Sequence, residues 1–438
     1  SIVYFQGDMP IPVGNAGLLN LTVVPRPDER NPQAVEATVT RLRALDGNPI
    51  GFPLRLPGTD KDAIPAKGIW LRMKPPKDPT FQTLMDTVSA RLEVEKKMGG
   101  ERATRKINEV LGSALYFVGL VFPEEIAYGK TGTGWLFVIA QPKPNGKPGQ
   151  YIGRRIRGER IGEEFLYARL PVASSLRTKK VLLVGTGAIG SFVALELARA
   201  GIGSLSLVDG DVALPGNSLR WPLGRPAWGL GKAKSLADFI QANYPWTKVS
   251  ATEVKLGWPP SLAMAEKNAE TEDERFSKLM AMLAEADIVI DTAASSEIQH
   301  ALSFYAKEQG KPLIVANATF GAAGGLVARF RPDNKACWVC LHEHLNEGSI
   351  QRPNVDHAGE VLPVGCNEPT FTGGSFDLQE VSLEVVRSAV GLLSDGAYDP
   401  GAWDVAVLDL KGDDGRRILP SWRHYTLEAH ASCCGRAS

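Results

Sequence analysis

The spacing of apolar and polar residues changes along the chain and predicts two kinds of structure. Up to residue 150, short apolar runs such as GLLNLTVV and GWLFVIAQP are mixed with helical stretches at 81–97 and 103–111. Such a mixture is typical of an α+β domain. After residue 164, apolar strands alternate with amphipathic helices, the pattern of a parallel sheet covered by helices on both faces. We therefore predict an α/β, Rossmann-like doubly wound domain that follows a smaller α+β domain.

The larger domain is predicted as a series of short strands separated by helices. The strands are 180–184, 204–208, 249–254, 287–291 and 313–316. The helices are 190–200, 232–243, 272–285 and 297–309. This alternation is typical of consecutive βαβ units.

The segment 141–164 is rich in proline, glycine and arginine, a composition that disfavours regular structure and commonly connects domains. We place the domain boundary there, so that residues 8–150 form the first domain and 151–438 the second. Residues 1–7 resemble the remnant of an expression-tag protease site, and we expect them to lie outside the fold.

Composition and charge exclude several classes of protein. The chain has 438 residues, 44% of them hydrophobic and 22% charged, which predicts a folded globular protein. With 49 basic and 49 acidic residues it has no net field to attract nucleic acid or an anionic membrane. The longest apolar stretch, 181–198, is interrupted by three glycines and Glu196 and is unsuited to crossing a membrane. No secretory leader pattern opens the sequence, so we expect a cytoplasmic protein.

A glycine-rich turn follows the first strand of the larger domain. Gly185, Gly187 and Gly190 have the GxGxxG spacing between an apolar strand and a helix. The three glycines allow a tight turn, close approach of the backbone to phosphate, and close packing of helix on strand. Asp209 ends the next strand, where an acidic side chain binds ribose hydroxyls. The motif predicts a nucleotide site and by itself leaves both NAD and ATP open.

The run VDGDVALPGNSLRWPLGRPAWGLGKAK resembles the adenylation core of the ubiquitin-activating, ThiF and MoeB family, and most of all the bacterial ubiquitin-activating-type proteins of defence operons. The shared pattern is an acidic pair, then Asn-x-x-Arg, then Gly-x-x-Lys. The resemblance implies ATP with magnesium as the nucleotide. It assigns ribose or phosphate contacts to five residues, which are Asp209, Asp211, Asn217, Arg220 and Lys234. Fixed cations and amide donors suit this chemistry, because attack on the α-phosphate spreads negative charge.

Two further positions bear on the nucleotide site. Arg169, in the phrase YARLP, resembles an arginine that precedes the nucleotide fold in several relatives; the alternatives are the arginines at 154, 155, 157 and 160. Many relatives have Asp-x-x-Asp at the end of a later strand, where the second aspartate helps to hold magnesium. Here that position is Ala294. Either Asp291 replaces the missing carboxylate, or the nucleotide itself holds most of the metal.

All five cysteines lie beyond residue 336, which fits a metal site or thiol chemistry better than a disulfide framework. Cys337 and Cys340 form a CxxC, and Cys433 and Cys434 are adjacent near the end of the sequence. The resemblance implies that these four thiolates hold a structural zinc ion. His430 is an alternative fourth ligand, and a redox pair is the alternative to zinc.

Cys366 remains, in the phrase LPVGCNEPTFTGG. This phrase resembles the catalytic-cysteine stretch of bacterial ubiquitin-activating-type proteins, which lies on a mobile loop. A thiolate readily captures an acyl adenylate as a thioester. The alternative is a cysteine without a catalytic role, since MoeB-like relatives adenylate without a thioester.

Together these features predict an ATP-dependent activating enzyme. It would adenylate the C-terminus of a ubiquitin-like carrier protein, form a thioester on Cys366 and transfer the carrier to a ubiquitin-conjugating-type enzyme. The resemblance also implies a homodimer. The alternatives are adenylation of a sulfur carrier or a peptide without a thioester, and a non-catalytic nucleotide-binding scaffold. The first domain contains no cysteine, so we expect a docking module for carrier or partner, or a cysteine-free conjugating-like fold.

Overall fold

The chain divides between Pro171 and Val172 into two units. The computed structural model describes residues 2–6, 14–27, 34–45, 49–50, 63–76, 80–127, 129–146, 150–161, 169–254, 256, 272–356, 360–361 and 370–434. Both units contain an eight-stranded sheet. The division falls later than the predicted boundary, because the arginine-rich segment after residue 150 is a strand of the first unit.

The first unit is built from eight strands and one long helix. The strands are β1 (Ile2–Gln6), β2 (Ala16–Pro25), β3 (Val35–Ala44), β4 (Pro49–Ile50), β5 (Ile64–Arg72), β6 (Tyr116–Ala127), β7 (Lys130–Pro142) and β8 (Tyr151–Ile161), and the helix is α1 (Phe81–Leu111). Their order is β1-β8-β7-β6-β5-β2-β3-β4, and β1 also pairs with β3. These pairings close seven of the strands into a barrel, which removes their free edges.

Two strands of this barrel differ from the sequence prediction. Ile2–Gln6 pairs in parallel with β8 and with β3, and Val3 and Phe5 are buried in the barrel interior. The expectation that residues 1–7 lie outside the fold is therefore wrong for residues 2–6. β8, expected to be an irregular linker, pairs with β7 over residues 151–157 and with β1 over residues 157–161. It tolerates its arginines because Ile156 faces the core while most of the arginine side chains are partly or fully exposed.

Helix α1 covers the outer face of the barrel. Its apolar residues, including Leu84, Val88 and Ile107, pack against strand residues such as Leu71 and Val118. At Gly100 the backbone has a φ of 65°, which breaks the helix into the two helical stretches predicted from the sequence. The first unit therefore has the predicted α+β composition.

The second unit contains the predicted doubly wound sheet. The strands of the second unit are β9 (Lys180–Val184), β10 (Ser204–Val208), β11 (Lys248–Thr252), β12 (Ile288–Asp291), β13 (Leu313–Ala318), β14 (Gly324–Phe330), β15 (Glu360–Val361), β16 (Thr370–Phe371), β17 (Val405–Lys411) and β18 (Arg417–Tyr425). The helices of the second unit are α2 (Ala173–Leu176), α3 (Gly190–Arg199), α4 (Lys232–Asn243), α5 (Glu272–Glu285), α6 (Ser296–Glu308), α7 (Trp338–Glu347) and α8 (Ser375–Leu393). Short 3₁₀ turns occur at Pro215–Leu219, Arg225–Ala227 and Phe320–Ala322.

Strand order in this sheet is β11-β10-β9-β12-β13-β14-β17-β18, and the first five strands are parallel. Successive residues of β9 enter opposite cores, Val181 and Leu183 on one face and Leu182 and Val184 on the other. The fold class and all five predicted strands are thus confirmed. The antiparallel extension by β14, β17 and β18 was not predicted.

The strand order reverses direction at β9, since the chain proceeds outwards to β10 and β11 and then returns to β12 on the other side. In open α/β sheets a ligand binds in the crevice outside the carboxyl ends of the strands at such a point. The glycine turn after β9 and Asp291 at the end of β12 both lie there. No helix in the described part of the chain is both long and apolar enough to span a membrane.

Candidate nucleotide and cysteine sites

The three glycines after β9 have separate functions in the structure. Gly185 has a φ of +85°, and a Cβ there would lie 2.6 Å from the backbone nitrogen of Ala293. A Cβ at Gly190 would lie 2.0 Å from the carbonyl oxygen of Gly185. Around Gly187, in contrast, no described atom lies within 4 Å of the Cβ position. Two glycines therefore allow close backbone packing, and the middle one leaves open space where a phosphate can approach.

Asp209 is tied to this loop. Its Oδ2 accepts hydrogen bonds from the backbone N–H of Thr186 at 2.7 Å and from the Thr186 hydroxyl at 2.9 Å. Its Oδ1 accepts from the N–H of Asp211 at 2.9 Å. A carboxylate has about four acceptor sites, so a ribose hydroxyl can still bind here. Sequence reasoning missed Thr186, whose only sequence signal is its place between two motif glycines.

Asp291 has a buried carboxyl group at the end of β12. Its Oδ1 accepts from the N–H of Ala293 at 2.9 Å, while Oδ2 has no hydrogen-bond partner among the described residues. Burial raises the pKa of Asp291 to about 7. A buried carboxylate oxygen without a partner is favourable to a cation, and Mg²⁺ prefers oxygen ligands. The residues present therefore fit the magnesium ion that accompanies a nucleoside triphosphate.

Ala294 occupies the position of the missing second aspartate. Its φ is 56°, in the left-handed region. Aspartate and asparagine tolerate this conformation better than alanine does. The backbone at this position therefore suits the residue that many relatives carry, although the chain has alanine.

Asn217 and Arg220 lie on the 3₁₀ turn after β10 and just beyond it. The Asn217 Oδ1 accepts from the N–H of Leu214 at 2.8 Å, and its Nδ2 has no described partner. Arg220 is half-buried, and its Nη1 donates to the carbonyl oxygen of Phe371 at 2.7 Å. No carboxylate in the described residues forms an ion pair with Arg220, and burial lowers its pKa. The adjacent Trp221 donates to the carbonyl oxygen of Thr186 at 2.8 Å and so fixes this turn to the glycine loop.

Two lysines follow the turn, and the structure separates them. Lys234, the residue that the resemblance assigns to phosphate, bonds to Asp238 on the exposed surface of α4. Lys232 is largely buried, and its Nζ lies 3.0 Å from the Oδ2 of Asp211. A phosphate contact by Lys234 requires its pair with Asp238 to open and stays a prediction. The Gly-x-x-Lys spacing selects Lys234, so Lys232 was not among the predicted site residues.

The candidate arginines before the nucleotide fold all belong to the first unit. Arg169 is exposed. Arg154, Arg155, Arg157 and Arg160 lie on β8, where Arg157 pairs with Glu159 and Arg160 with Glu124. A nucleotide contact by Arg169 stays a prediction.

Four thiols converge between the start of α7 and the segment after β18. The Sγ of Cys337 lies 3.8 Å from that of Cys340, 3.6 Å from that of Cys433 and 3.5 Å from that of Cys434. Tetrahedral zinc with Zn–S bonds of about 2.3 Å places its sulfurs about 3.8 Å apart. The four thiols therefore fit a zinc ion, which supports the predicted ligand set.

His430 belongs to a neighbouring cluster. Its Nε2 lies 2.9 Å from the Oε1 of Glu347, and its Nδ1 accepts from the N–H of Ser432. His344 lies beside it, with its Nε2 3.0 Å from the carbonyl oxygen of Glu428. Because both ring nitrogens of His430 are engaged, the four-cysteine set is favoured over a set that contains this histidine.

Cys366 lies outside the described residues. The chain on either side of it is described where β15 and β16 pair antiparallel, with Glu360 opposite Phe371 and Val361 opposite Thr370. The catalytic function of Cys366 stays a prediction.

Comparison with known proteins identifies the family. Residues 154–370 match the model of the ThiF family. The chain is 40% identical over 441 residues to y4oA, an uncharacterised protein of Sinorhizobium fredii, and the match covers 99% of this chain and 73% of y4oA. It is 24% identical over 226 residues to the ATP-dependent ubiquitin transferase-like protein Cap2 of Enterobacter hormaechei, covering 52% of this chain and 35% of Cap2.

A third relative is the molybdopterin-synthase adenylyltransferase of Escherichia coli, 27% identical over 177 residues, with 40% of this chain and 64% of that protein covered. The chain thus spans about a third of Cap2 and less than two thirds of the Escherichia coli enzyme. The match to y4oA is extensive, and the family model includes the glycine loop, Asp291 and the 3₁₀ turn. The chain therefore belongs to the ThiF family of adenylating enzymes.

Proposed function

We propose that the protein activates a ubiquitin-like carrier protein in two steps, adenylation of the carrier's C-terminal carboxylate by ATP and then thioester formation on Cys366. A conjugating-type enzyme would receive the carrier from that thioester. The observation that supports adenylation is a set of groups with unused binding capacity around one loop. Among the described residues these are the open space at Gly187, the Asp291 Oδ2 without a hydrogen-bond partner and the Arg220 guanidinium without a carboxylate.

The charges of these groups suit attack on the α-phosphate. The carrier carboxylate forms a bond to phosphorus while the bond to pyrophosphate breaks, so negative charge grows on the phosphate oxygens. Arg220 and the Nδ2 of Asn217 are donors that can stabilise that charge without reorganising. Asp291 would hold the magnesium ion, which neutralises phosphate charge when bound. Asp209 keeps Thr186, and with it the loop, in place.

The second step needs only the adenylate and a thiol. The Cys366 sulfur forms a bond to the acyl carbon, AMP leaves with the electron pair of the broken C–O bond, and the thiol proton passes to solvent. Support for this step comes from the phrase around Cys366 and from the similarity to Cap2, whose name describes a ubiquitin-transferase-like protein.

Three further features belong to the same proposal. Zinc would join α7 to the end of the chain through Cys337, Cys340, Cys433 and Cys434. A homodimer is supported by exposed apolar side chains on the 212–230 segment, which are Val212, Leu214, Leu219, Trp228 and Leu230. The first unit would bind the carrier or its conjugating enzyme.

Intact-mass measurement tests the main proposal. The protein is incubated with Mg-ATP and a ubiquitin-like carrier ending in glycine. We expect ATP–pyrophosphate exchange that depends on carrier, and a protein–carrier adduct that a reductant removes. Cys366→Ala should keep the exchange and lose the adduct.

Each alternative gives a different result. Exchange without an adduct in the unmodified protein identifies adenylation of a sulfur carrier or peptide alone. ATP binding without exchange identifies the scaffold and contradicts the enzyme proposal.

A further inference from the structure

The guanidinium of Arg220 contacts Phe371 twice. Nη1 donates to the Phe371 carbonyl oxygen at 2.7 Å, and the guanidinium carbon lies 5.6 Å from the centroid of the Phe371 ring. A cation at this distance from an aromatic face is attracted by the ring quadrupole. The carbonyl group and the ring of Phe371 therefore both hold the Arg220 guanidinium, although Phe371 and Arg220 are far apart in sequence.

Phe371 is itself held firmly by its surroundings. Its ring centroid lies 6.2 Å from that of Phe320. Gly373 has a φ of +153°, and a Cβ there would lie 2.9 Å from the Phe371 Cε1 and 2.8 Å from the Ala322 Cβ. The segment thus packs closely on the 3₁₀ turn Phe320–Ala322, whose first carbonyl accepts from the N–H of Asp356 at 3.2 Å. A glycine at 373 leaves room for this packing.

The contact with Phe371 engages only part of the guanidinium. Nε and Nη2 of Arg220 have no described partner, and no described carboxylate neutralises its charge. A guanidinium offers its N–H groups as a planar fork that binds phosphate through two parallel hydrogen bonds. With Nη1 fixed by the carbonyl, the edge formed by Nε and Nη2 is available to an anion.

We propose that Phe371 is a positioning residue for Arg220, holding the guanidinium so that Nε and Nη2 meet the phosphates of the nucleotide. This inference rests on the proposed function and specifies how its main cation is oriented. It also makes nucleotide binding and the order of residues 370–374 interdependent. The two effects are thermodynamically linked. If the Arg220–Phe371 contact raises the affinity for nucleotide, bound nucleotide stabilises that contact by the same free energy.

A double-mutant cycle on the full chain tests this. The dissociation constant of the non-hydrolysable analogue α,β-methylene-ATP with magnesium is measured calorimetrically for the unmodified protein, Phe371→Ala, Arg220→Lys and the double variant. We expect Phe371→Ala to weaken binding about five-fold when Arg220 is present. In the Arg220→Lys background the same change should have less than about a two-fold effect, because the planar fork is already lost. Phe376→Ala, which changes an exposed aromatic residue in the first turn of the nearby helix α8, is the matched control and should leave binding unchanged.

The possible results separate the two proposals. No effect of Phe371→Ala, or an equal effect in both backgrounds, overturns the positioning function while leaving the adenylation proposal intact. Absence of nucleotide binding in the unmodified protein overturns both. If Phe371→Ala does not fold, as judged from its thermal melting, Phe371→Leu retains the bulk and the carbonyl and should show the same pattern with a smaller fold-change.

Discussion

Thr186 and Asp209 are joined by two hydrogen bonds, one from the Thr186 backbone at 2.7 Å and one from its hydroxyl at 2.9 Å, both to the same carboxylate oxygen. The pair connects the end of β10 with the middle of the glycine loop. Thr186 is fully buried. The aspartate that the motif assigns to ribose thus also fixes the shape of the loop that receives the phosphates.

Loss of this hydroxyl should weaken both folding and nucleotide binding. Thr186→Val removes the side-chain bond and keeps the size, and we expect the free energy of unfolding to fall by about 1–2 kcal/mol. The KM for ATP should rise several-fold because the loop loses one of its two ties to Asp209. Thr186→Ser is the control: it also loses stability, since a buried methyl is removed, but it retains the hydroxyl and should retain the KM. Equal KM values for the two variants would show that the hydroxyl does not shape the loop.

Substitutions of Gly187 and Gly190 should have opposite effects, because only Gly187 borders open space. Gly187→Ala should leave the melting temperature nearly unchanged, since no described atom lies within 4 Å of the new methyl group, while nucleotide binding is lost. Gly190→Ala should lower the free energy of unfolding by about 3 kcal/mol or more, because its methyl group would overlap a backbone carbonyl. Thermal melting and ATP titration of both variants give the comparison. A Gly187→Ala protein that binds ATP normally contradicts the placement of phosphate at this loop.

These features show which parts of the structure the sequence could predict. The strands, the glycine turn and Asp209 were predicted because a local pattern specifies them within a few tens of residues. The closure of the barrel was not predicted, because it depends on the pairing of β1 with β8, two strands separated by most of the sequence of the first unit. Long-range strand pairing leaves no periodic signal in either segment.

The candidate site follows the same division. The resemblance could propose Asn217, Arg220 and the four cysteines as site residues, since each belongs to a short motif. The Gly-x-x-Lys spacing selected Lys234, but no pattern in the sequence indicates that Lys232 reaches Asp211 while Lys234 reaches Asp238. The contact between Arg220 and Phe371 is set by the packing of distant segments and has no counterpart in the sequence pattern.

Asp291 should make stability depend on pH in the absence of nucleotide and metal. Burial raises its pKa from 3.8 to about 7. The stability that its protonated form contributes is present in full below pH 3.8 and is lost as the pH rises through 7, because the folded chain holds a proton that the unfolded chain has released. Asp291→Asn has no ionisable group here and should not show this loss. Between pH 3.8 and pH 7 its free energy of unfolding should therefore rise by up to about 4 kcal/mol relative to that of the unmodified protein.

Urea unfolding at pH 4.5 and pH 7.5 measures the effect, with Asp287→Asn, an exposed carboxylate directly before β12, as the control for loss of a carboxylate. A constant difference between Asp291→Asn and the unmodified protein at the two pH values contradicts the raised pKa. Asp291→Asn should also weaken the magnesium dependence of ATP binding, which the control should not.

The four thiols predict one zinc ion per chain. Cys337→Ser should release the metal and destabilise the link between α7 and the end of the chain, because Cys337 is within 3.8 Å of all three other sulfurs. Cys366→Ser should keep the zinc, since the four thiols of the cluster already complete a tetrahedral site. Metal content by plasma mass spectrometry and thermal melting with and without a chelator check both variants. Full zinc content in Cys337→Ser would favour other ligands, with His344, Glu347 and His430 as the second described group that could hold a metal.

Ala294 allows backbone strain to be separated from metal binding. Its φ of 56° is unfavourable for alanine by about 1–2 kcal/mol, and both asparagine and aspartate relieve part of that strain. Ala294→Asn and Ala294→Asp should therefore both raise the melting temperature, the aspartate slightly less because of the neighbouring Asp291 carboxyl. Only Ala294→Asp adds a second oxygen ligand with negative charge, so only it should lower the magnesium concentration needed for half-maximal ATP binding. Titration of magnesium at fixed ATP distinguishes the two variants, which have nearly the same shape. If both variants change the magnesium requirement equally, the effect comes from the backbone and Ala294 does not lie at the metal. If neither variant changes it, Asp291 and the nucleotide already complete the metal site.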